Sequence, residues 1–173
     1  MRRFGLALLA AAAIGAAPAR AAGDLGTEAS IEACIFAAAE AHDLPPAVIL
    51  ILLEVENGKL GEVSGNKNET VDIGPMQVNE TWLPKLAAHW RASTAQTYLA
   101  LRDQFCANVE AGAWILRQAL DEANGDFWEG VGLYHSHTEV HKTDYLRKVL
   151  RQALRLEKEA SAKASALPGG EAR

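Results

Sequence analysis

Apolar residues recur every three or four positions over most of this chain, which is the spacing of an α-helix. A first helix is predicted over about residues 30–42. A second is predicted to begin at Pro45-Pro46, because proline suits the first turn of a helix, and to end near Asn57. Residues 48–55 are apolar on nearly every side, so we expect this second helix to be the buried centre of the fold.

The helical pattern breaks between residues 58 and 74, where glycine, asparagine and serine interrupt the apolar stripe. A loop of this length inside a compact domain is usually functional, and it has room for at most a small β element near residues 60–73. Helical spacing then resumes in five segments, at about residues 80–89, 94–102, 107–123, 126–135 and from 143 onward. The fold is therefore predicted to be mainly α.

The first 21 residues have the three parts of a secretory signal peptide. Residues 1–3 are basic, residues 4–17 are apolar, and residues 18–21 end in the small-x-small pattern of a cleavage site. A membrane anchor is the weaker alternative, because the uncharged run is shorter than the roughly 20 residues that span a bilayer. We predict cleavage after Ala21, or at a neighbouring alanine, and release into the periplasm.

The remainder divides into one domain and a short tail. Residues 22–156 are predicted to form a single globular domain, which their number is sufficient to build. Residues 157–173 are rich in Lys, Glu, Ala and Ser and end in a Pro-Gly-Gly run before the last three residues, which is typical of a flexible C-terminal tail.

The charge of the chain excludes two classes of partner. It carries 17 basic and 22 acidic residues, a formal net charge of −5, and loss of the three arginines of the signal peptide would change this to −8. Nucleic acids and anionic lipids attract basic proteins, so we predict no nucleic-acid partner and no stable membrane insertion. An anionic polymer would have to be held by local contacts.

Two cysteines, Cys34 and Cys106, have a different meaning in an exported protein than in a cytosolic one. In an oxidising compartment they are most simply one disulfide, although two buried free thiols remain the alternative. Closure of a loop of roughly 70 residues would stabilise the fold by about 4 kcal/mol in the chain-entropy treatment. No CxxC spacing indicates a redox centre, a haem or a zinc site.

Glu56 is a candidate catalytic acid because it ends the most apolar predicted helix. Apolar surroundings and the negative end of the helix dipole both disfavour the charged carboxylate. A carboxyl group that stays protonated near neutral pH is what acid-assisted cleavage of a glycosidic bond requires. Glu54 lies about 200° away around the helix, so the two cannot share a face. By spacing alone, either one could equally be a solvated surface group.

A second cluster, Asp-Ile-Gly-Pro-Met-Gln-Val-Asn at residues 72–79, combines a tight Gly-Pro turn with two amide side chains. Gln77 and Asn79 can each donate and accept hydrogen bonds, which suits the hydroxyl and acetamido groups of a sugar. Taken alone, the cluster is equally compatible with a turn followed by a helix cap.

A third cluster contains His135, His137 and His141, a grouping that is seen among metal ligands. No HExxH motif accompanies it, and the segment is predicted to be a turn. We therefore predict no metal site.

Four motifs, taken in order over about residues 31–150, resemble those of the lytic transglycosylases that have a soluble-transglycosylase-type, lysozyme-like domain. Residues 56–58, Glu-Asn-Gly, resemble the catalytic E-S-G signature, and residues 74–79 resemble G-x-M-Q-x-N. Residues 108–116 resemble N-(I/V)-x-x-G-x-x-x-L, and residues 134–136, Tyr-His-Ser, resemble the Y-H-S of one subgroup. The chain is most similar to the small exported members that accompany secretion, conjugation or pilus systems.

The resemblance implies a helical fold of the goose-type lysozyme and transglycosylase class, and it selects Glu56 as the catalytic acid. It implies no cofactor, peptidoglycan glycan strands as substrate, and components of a secretion, conjugation or pilus machine as further partners. A cysteine pair is common in this subgroup, which favours the disulfide. Asn57 departs from the family serine, and His135 from the commoner asparagine. The implied substrate-binding residues are Met76, Gln77, Asn79, Asn108 and Tyr134, with Tyr134 forming a hydrogen bond near the glutamate.

Two other functions remain open at the level of the sequence. One is a lysozyme-like hydrolase, in which Asp72, Glu62 or Glu69 assists a water molecule. The other is a catalytically silent protein that binds glycans or supports assembly of a secretion apparatus.

Overall fold

The computed structural model describes residues 28–166, and the mainly α architecture predicted from the sequence is confirmed there. The predicted signal peptide, residues 1–21, lies outside the described residues, as do residues 167–173 of the predicted tail. In chain order the elements are α1 (Glu28–Ala41), α2 (Pro46–Glu56), β1 (Val63–Gly65), β2 (Val71–Ile73), β3 (Val78–Asn79), a 3-10 turn (Glu80–Trp82), α3 (Leu83–Trp90), α4 (Thr94–Asp103), α5 (Phe105–Glu122), α6 (Phe127–His135) and α7 (Glu139–Ala166).

Helix α2 carries Glu56 and has ends that follow from its sequence. Pro46 occupies the first turn, where its missing N–H breaks no helical hydrogen bond. Asn57 terminates the helix in the left-handed conformation, with φ 50° and ψ 29°, and its N–H donates to the Leu53 carbonyl. Asparagine tolerates this conformation better than most residues, which gives a local physical reason for Asn at this position.

The small β element is a three-stranded antiparallel sheet in the order β1-β2-β3. Strands β1 and β2 lie within the region where a β element was predicted, whereas β3 lies beyond it. The turn between β2 and β3 brings Asp72 opposite Asn79 in the register. It is closed by a hydrogen bond of 3.0 Å from Gln77 N to the Gly74 carbonyl, and both residues have positive φ.

Helix α5, not α2, is the buried centre of the described structure. It packs against α1, α2, α4 and α6, and its small residues Ala111, Gly112 and Ala113 are all buried. In α2 only Ile49 and Leu52 are fully buried, while Leu50 is 36% exposed. The prediction that α2 is the central helix is therefore wrong. Neighbouring helices pack most closely around a helix with small side chains, such as α5, rather than around a helix that is apolar on every side.

The predicted disulfide joins Cys34 on α1 to Cys106 on α5, with their Cα atoms 5.0 Å apart. It ties together two helices that also pack directly against each other. The bond links residues 72 positions apart, so it removes much conformational freedom from the unfolded chain.

Within residues 28–166, no single helix combines the length and the apolar composition needed to cross a membrane. The segments Ser30–Ala41 and Pro46–Glu56 meet that composition test when taken together, and they are bent by 119° at the break between them.

The last helix, α7, is longer than predicted at its N-terminal end. It begins at Glu139 rather than near residue 143, and it continues without a break to Ala166. Its buried residues are Lys142, Tyr145 and Val149, which face the domain, whereas residues 157–166 are exposed.

Candidate active site

Glu56 is the last residue of α2, and its side chain lines an open cleft of about 600 Å³. Burial raises the pKa of Glu56 to about 7, and the nearby Asp72 carboxylate acts in the same direction. A hydrogen bond from Tyr145 and the charge of Lys148 oppose this rise without cancelling it. The carboxyl group is therefore partly protonated at neutral pH, so it can both donate and accept a proton there.

The hydrogen bond from Tyr145 determines which oxygen of Glu56 is free. The Tyr145 hydroxyl donates to Oε1 of Glu56 over 2.6 Å. The pKa of Tyr145 is raised by its burial and by Glu56, so this hydroxyl remains a donor. Because Oε1 accepts that bond, the acidic proton is carried by Oε2, which has no hydrogen-bond partner in the described part of the chain.

Glu54 occupies the opposite, exposed side of α2. Its Oε2 accepts a hydrogen bond of 3.0 Å from Arg155 on α7, and the two form a solvent-exposed ion pair. Glu54 does not line the cleft. The choice between two nearby carboxylates, which spacing left open, is thus decided by which face of the helix meets the cleft.

Gln77, Asn79 and Tyr134 line the same cleft as Glu56, as the resemblance implies. The Nε2 of Gln77 donates to the Gly74 carbonyl over 2.9 Å, while its Oε1 has no partner among residues 28–166. That oxygen can accept a hydrogen bond from a sugar hydroxyl.

The amide of Asn79 connects the sheet to the cleft. Its Nδ2 donates to Asp72 over 2.7 Å and to Thr70 over 3.0 Å. Its Oδ1 accepts from the Thr81 backbone N–H, which caps the 3-10 turn. The helix-cap interpretation and the cleft position are therefore both correct for this residue, and its bond to Asp72 orients that carboxylate at the cleft.

Met76 and Asn108 lie behind the cleft wall, which corrects their predicted position on its surface. Met76 is 1% exposed, and its side chain packs onto Gly112 of α5. Asn108 is 0% exposed, and its Oδ1 accepts the Met76 N–H over 2.6 Å. Its Nδ2 donates to the carbonyls of Ile73 and Leu101, each over 2.9 Å. The Asn108 amide thus supports the turn from inside and has no group left for a sugar.

Gly58 and Gly74 allow α2 to approach this turn closely. The Gly58 N–H donates to the Pro75 carbonyl over 3.2 Å, and a Cβ at Gly58 would overlap the Gly74 carbonyl oxygen. A Cβ at Gly74 would in turn overlap the Asn108 amide and the Leu101 carbonyl. The two glycines place the end of α2, and so Glu56, directly beside the turn that carries Gln77.

Tyr145 is the residue at this site that the sequence analysis missed. It is 2% exposed, and its periodicity on the last helix marks it only as part of an apolar face. A buried tyrosine hydroxyl usually has a hydrogen-bond partner, which was the one available signal, but the sequence does not show which partner. Tyr134 instead donates to the Met76 carbonyl over 3.2 Å. Burial raises the pKa of Tyr134, and the nearby charge of Glu56 raises it further.

The histidine cluster does not converge on one point. His135 stacks on Tyr145 with ring centroids 4.3 Å apart, and His137 pairs with Glu122 over 2.9 Å. Within the described residues, no three His, Cys, Asp or Glu side chains are grouped so that they could hold a metal ion. His135, His137 and His141 all line the cleft, where their rings can contact a polar ligand.

Several further cleft residues carry no motif that sequence reasoning could use. They come from the loop between β1 and β2 and from the 3-10 turn, and they supply amide, ammonium, hydroxyl and indole groups: Asn66, Lys67, Asn68, Thr70, Thr81 and Trp82. Such groups are typical of carbohydrate sites, in which hydroxyls are hydrogen-bonded and the apolar sugar face packs on an aromatic ring.

We expect Tyr145→Phe to move the alkaline limb of the pH–activity profile to higher pH. The lost hydrogen bond lowers the pKa of Glu56 in the wild-type protein, so its removal raises that pKa further. Turnover at the optimum should fall about tenfold, because the carboxyl loses the bond that orients it. A kcat profile measured from pH 4 to 9 checks this, and an unchanged limb would show that Tyr145 does not act through Glu56.

Comparison with known proteins agrees with this geometry. No curated protein sequence matches the chain. The family model described as the transglycosylase SLT domain matches residues 33–153, which include Glu56, the turn between β2 and β3, and Tyr145. This match supports the lysozyme-like fold and a lytic transglycosylase that acts on peptidoglycan. Because this match covers well over half of the chain, the chain belongs to the transglycosylase SLT domain family.

Proposed function

We propose that this protein cleaves the β-1,4 bond between N-acetylmuramic acid and N-acetylglucosamine in peptidoglycan and leaves a 1,6-anhydro end. The observation that carries the proposal is the position of Glu56, whose pKa of about 7 keeps it partly protonated in a polar cleft. The cleft is lined mainly by amide, hydroxyl and imidazole groups, which suits an uncharged glycan backbone.

The reaction needs one proton donor that later becomes a base. The Oε2 proton of Glu56 passes to the glycosidic oxygen as the bond from that oxygen to C1 of the muramyl sugar breaks. The resulting carboxylate then takes the proton of the muramyl 6-hydroxyl, whose oxygen bonds to C1 and closes the anhydro ring. Glu56 ends the cycle protonated, so no water, second carboxylate or cofactor enters the balance.

Tyr145 and Gln77 assist without exchanging protons in this scheme. The Tyr145 hydroxyl keeps donating to Oε1 in both protonation states of Glu56, and this bond stabilises the carboxylate that forms midway. The free Oε1 of Gln77 accepts a hydrogen bond from a sugar hydroxyl and helps to fix the position of the glycan strand along the cleft.

The cellular setting is part of the same proposal. Residues 1–21 have the features of a signal peptide, which supports export to the periplasm, where peptidoglycan lies. The similarity to small members that accompany secretion, conjugation or pilus systems supports a role in opening the cell wall locally for such a machine. Export is tested by comparing the mass of the protein in periplasmic fractions with that of a chain cleaved after Ala21.

The reaction itself is tested by mass spectrometry of soluble products from purified peptidoglycan. We expect muropeptides that end in 1,6-anhydro-N-acetylmuramic acid. These are lighter by one water than the products of hydrolysis and do not change on borohydride reduction. Products with ordinary reducing ends would contradict the proposal.

One observation favours hydrolysis as the second candidate. Asp72 lines the cleft with Glu56, whereas Glu62 and Glu69 are exposed outside it, so of these three acids Asp72 is the one placed to assist a water molecule. Hydrolysis requires such a second carboxylate, but anhydro-ring closure does not. An Asp72→Asn variant that retains most of its turnover, with anhydro products, is therefore the outcome expected of a transglycosylase.

A further inference from the structure

A second groove leaves the catalytic cleft along the exposed face of α7. It has a volume of about 350 Å³ and shares His135 and His141 with the cleft. Its remaining lining comes from α7: Asp144, Tyr145, Arg147, Lys148 and Arg151. We call these side chains, His141, Lys148 and Arg151 together with the Tyr145 edge, the basic groove.

Of the Lys and Arg side chains that line this groove, Arg147 alone is paired with a carboxylate among residues 28–166. Arg147 is paired with Asp144 over 2.8 Å, and Arg155 is paired with Glu54 over 3.0 Å. Lys148 and Arg151, by contrast, form no ion pair with any residue in the described range 28–166, and both are exposed.

The basic groove is also close to the reacting centre. Lys148 is near enough for its charge to act on both groups: it opposes the rise that burial gives the pKa of Glu56, and it adds to the fall that burial gives the pKa of His135. Arg151 lies six residues beyond Tyr145, which is about 9 Å along the helix axis. Two to three residues of an extended peptide cover that distance, at about 3.3 Å for each residue.

We propose that the basic groove binds the free carboxylates of the peptide stem attached to the muramyl sugar. This inference rests on the proposed function, because that function places a muramyl residue at Glu56. The stem begins at the lactyl group of this sugar and carries carboxylates within its first few residues. Lys148 and Arg151 form charge-assisted hydrogen bonds with these carboxylates, while the glycan occupies the polar cleft. The protein thus binds peptide-bearing strands in preference to naked glycan.

The test measures binding in a Glu56→Gln background, in which strands are bound but not cut and no carboxyl at position 56 can respond to Lys148. Calorimetry compares two oligosaccharides of alternating N-acetylglucosamine and N-acetylmuramic acid, one with tripeptide stems and one whose lactyl carboxyls are capped as methylamides, so that the naked ligand carries no carboxylate. We expect tighter binding of the stem-bearing ligand. Adding Lys148→Ala and Arg151→Ala should weaken binding of that ligand about tenfold, as expected for two exposed charge pairs, and leave binding of the naked ligand within about twofold.

A matched control removes two cations elsewhere on the same helix. Lys158 and Lys163 are exposed on α7 and lie outside the groove, so Lys158→Ala with Lys163→Ala should leave both affinities unchanged. Equal affinity for the two ligands in the parent would overturn the proposal. So would an equal loss for both ligands in the Lys148→Ala, Arg151→Ala variant, or the same loss in the control.

The outcome for the basic groove is separable from that for the proposed function. Absence of anhydro products from the wild-type protein would reject the reaction, while the ratio of the two binding constants would still decide whether the groove recognises stems. Conversely, anhydro products with no preference between the ligands would keep the reaction and reject the groove.

Discussion

Replacement of Glu56 by Gln is expected to reduce turnover of peptidoglycan by about a thousandfold, the effect typical of losing a general acid–base group. Gln has nearly the same shape and can still accept the Tyr145 hydrogen bond at its amide oxygen. It cannot transfer a proton to the glycosidic oxygen. The rate of release of soluble muropeptides, normalised to folded protein, measures the effect.

Glu54→Gln is the matched control for this experiment. It makes the same chemical change on the same helix, at an exposed position whose ion pair with Arg155 contributes about 0–1 kcal/mol. We expect its turnover to stay within about twofold of the wild type, since Glu54 is outside the cleft. If Glu56→Gln cleared peptidoglycan as fast as wild type, Glu56 would not be the acid.

Glu56→Gln is expected to lower turnover but to raise the stability of the fold at alkaline pH. This combination distinguishes a catalytic role of Glu56 from a structural one. The pKa of Glu56 is raised from 4.5 to about 7 in the folded protein, so the unfolded chain loses this proton at lower pH than the folded one. Wild-type stability therefore falls as pH rises from 4.5 to 7, by up to about 3 kcal/mol. Glu56→Gln should match wild type near pH 4 and unfold at higher temperature near pH 8.

Replacement of Asn108 by Ala is expected to lower the free energy of unfolding by about 3 kcal/mol, because it removes three hydrogen bonds to buried backbone groups. The Met76 N–H loses its acceptor, and the carbonyls of Ile73 and Leu101 lose their shared donor. Urea denaturation followed by circular dichroism measures the change. Fully exposed asparagines rarely have effects above about 0.5 kcal/mol.

Gln118→Ala provides the control on the same helix. Gln118 is an exposed amide on α5, and its loss should change stability by less than about 0.5 kcal/mol. Below the unfolding transition, Asn108→Ala should also bind glycan more weakly, since the turn that carries Gln77 loses its support from α5. If Asn108→Ala were as stable as Gln118→Ala, the amide would not be holding the turn.

The sequence predicted the helices well because each one carries its own signal. Apolar spacing and end residues such as Pro46 and Asn57 act within a few positions, and the boundaries of α2 follow from them. The position of α2 in the fold did not follow from its own composition. The small residues of α5, rather than the large ones of α2, allow neighbouring helices to meet at the centre.

The candidate site shows the same division at the level of single side chains. The motifs identified Glu56, Gln77 and Asn79, and the structure gathers all three around one cleft. The motifs could not show that Met76 and Asn108 lie behind the cleft wall. A residue can belong to a motif because it supports a turn, and not only because it contacts a ligand. The sequence did not identify Tyr145 as a site residue, because its hydrogen-bond partner, Glu56, is 89 residues away in the chain.

By itself, then, the sequence determined the mainly α class, the cysteine pair, the acidic balance and the residue types at the site. These depend on local spacing and composition, which need no knowledge of distant contacts. Only the tertiary structure decided which carboxylate is buried, which tyrosine bonds to it, and where Lys148 and Arg151, which have no ion pair within residues 28–166, lie beside the cleft. Burial and pairing depend on groups that are far apart along the chain, and so they exist only once the helices have packed.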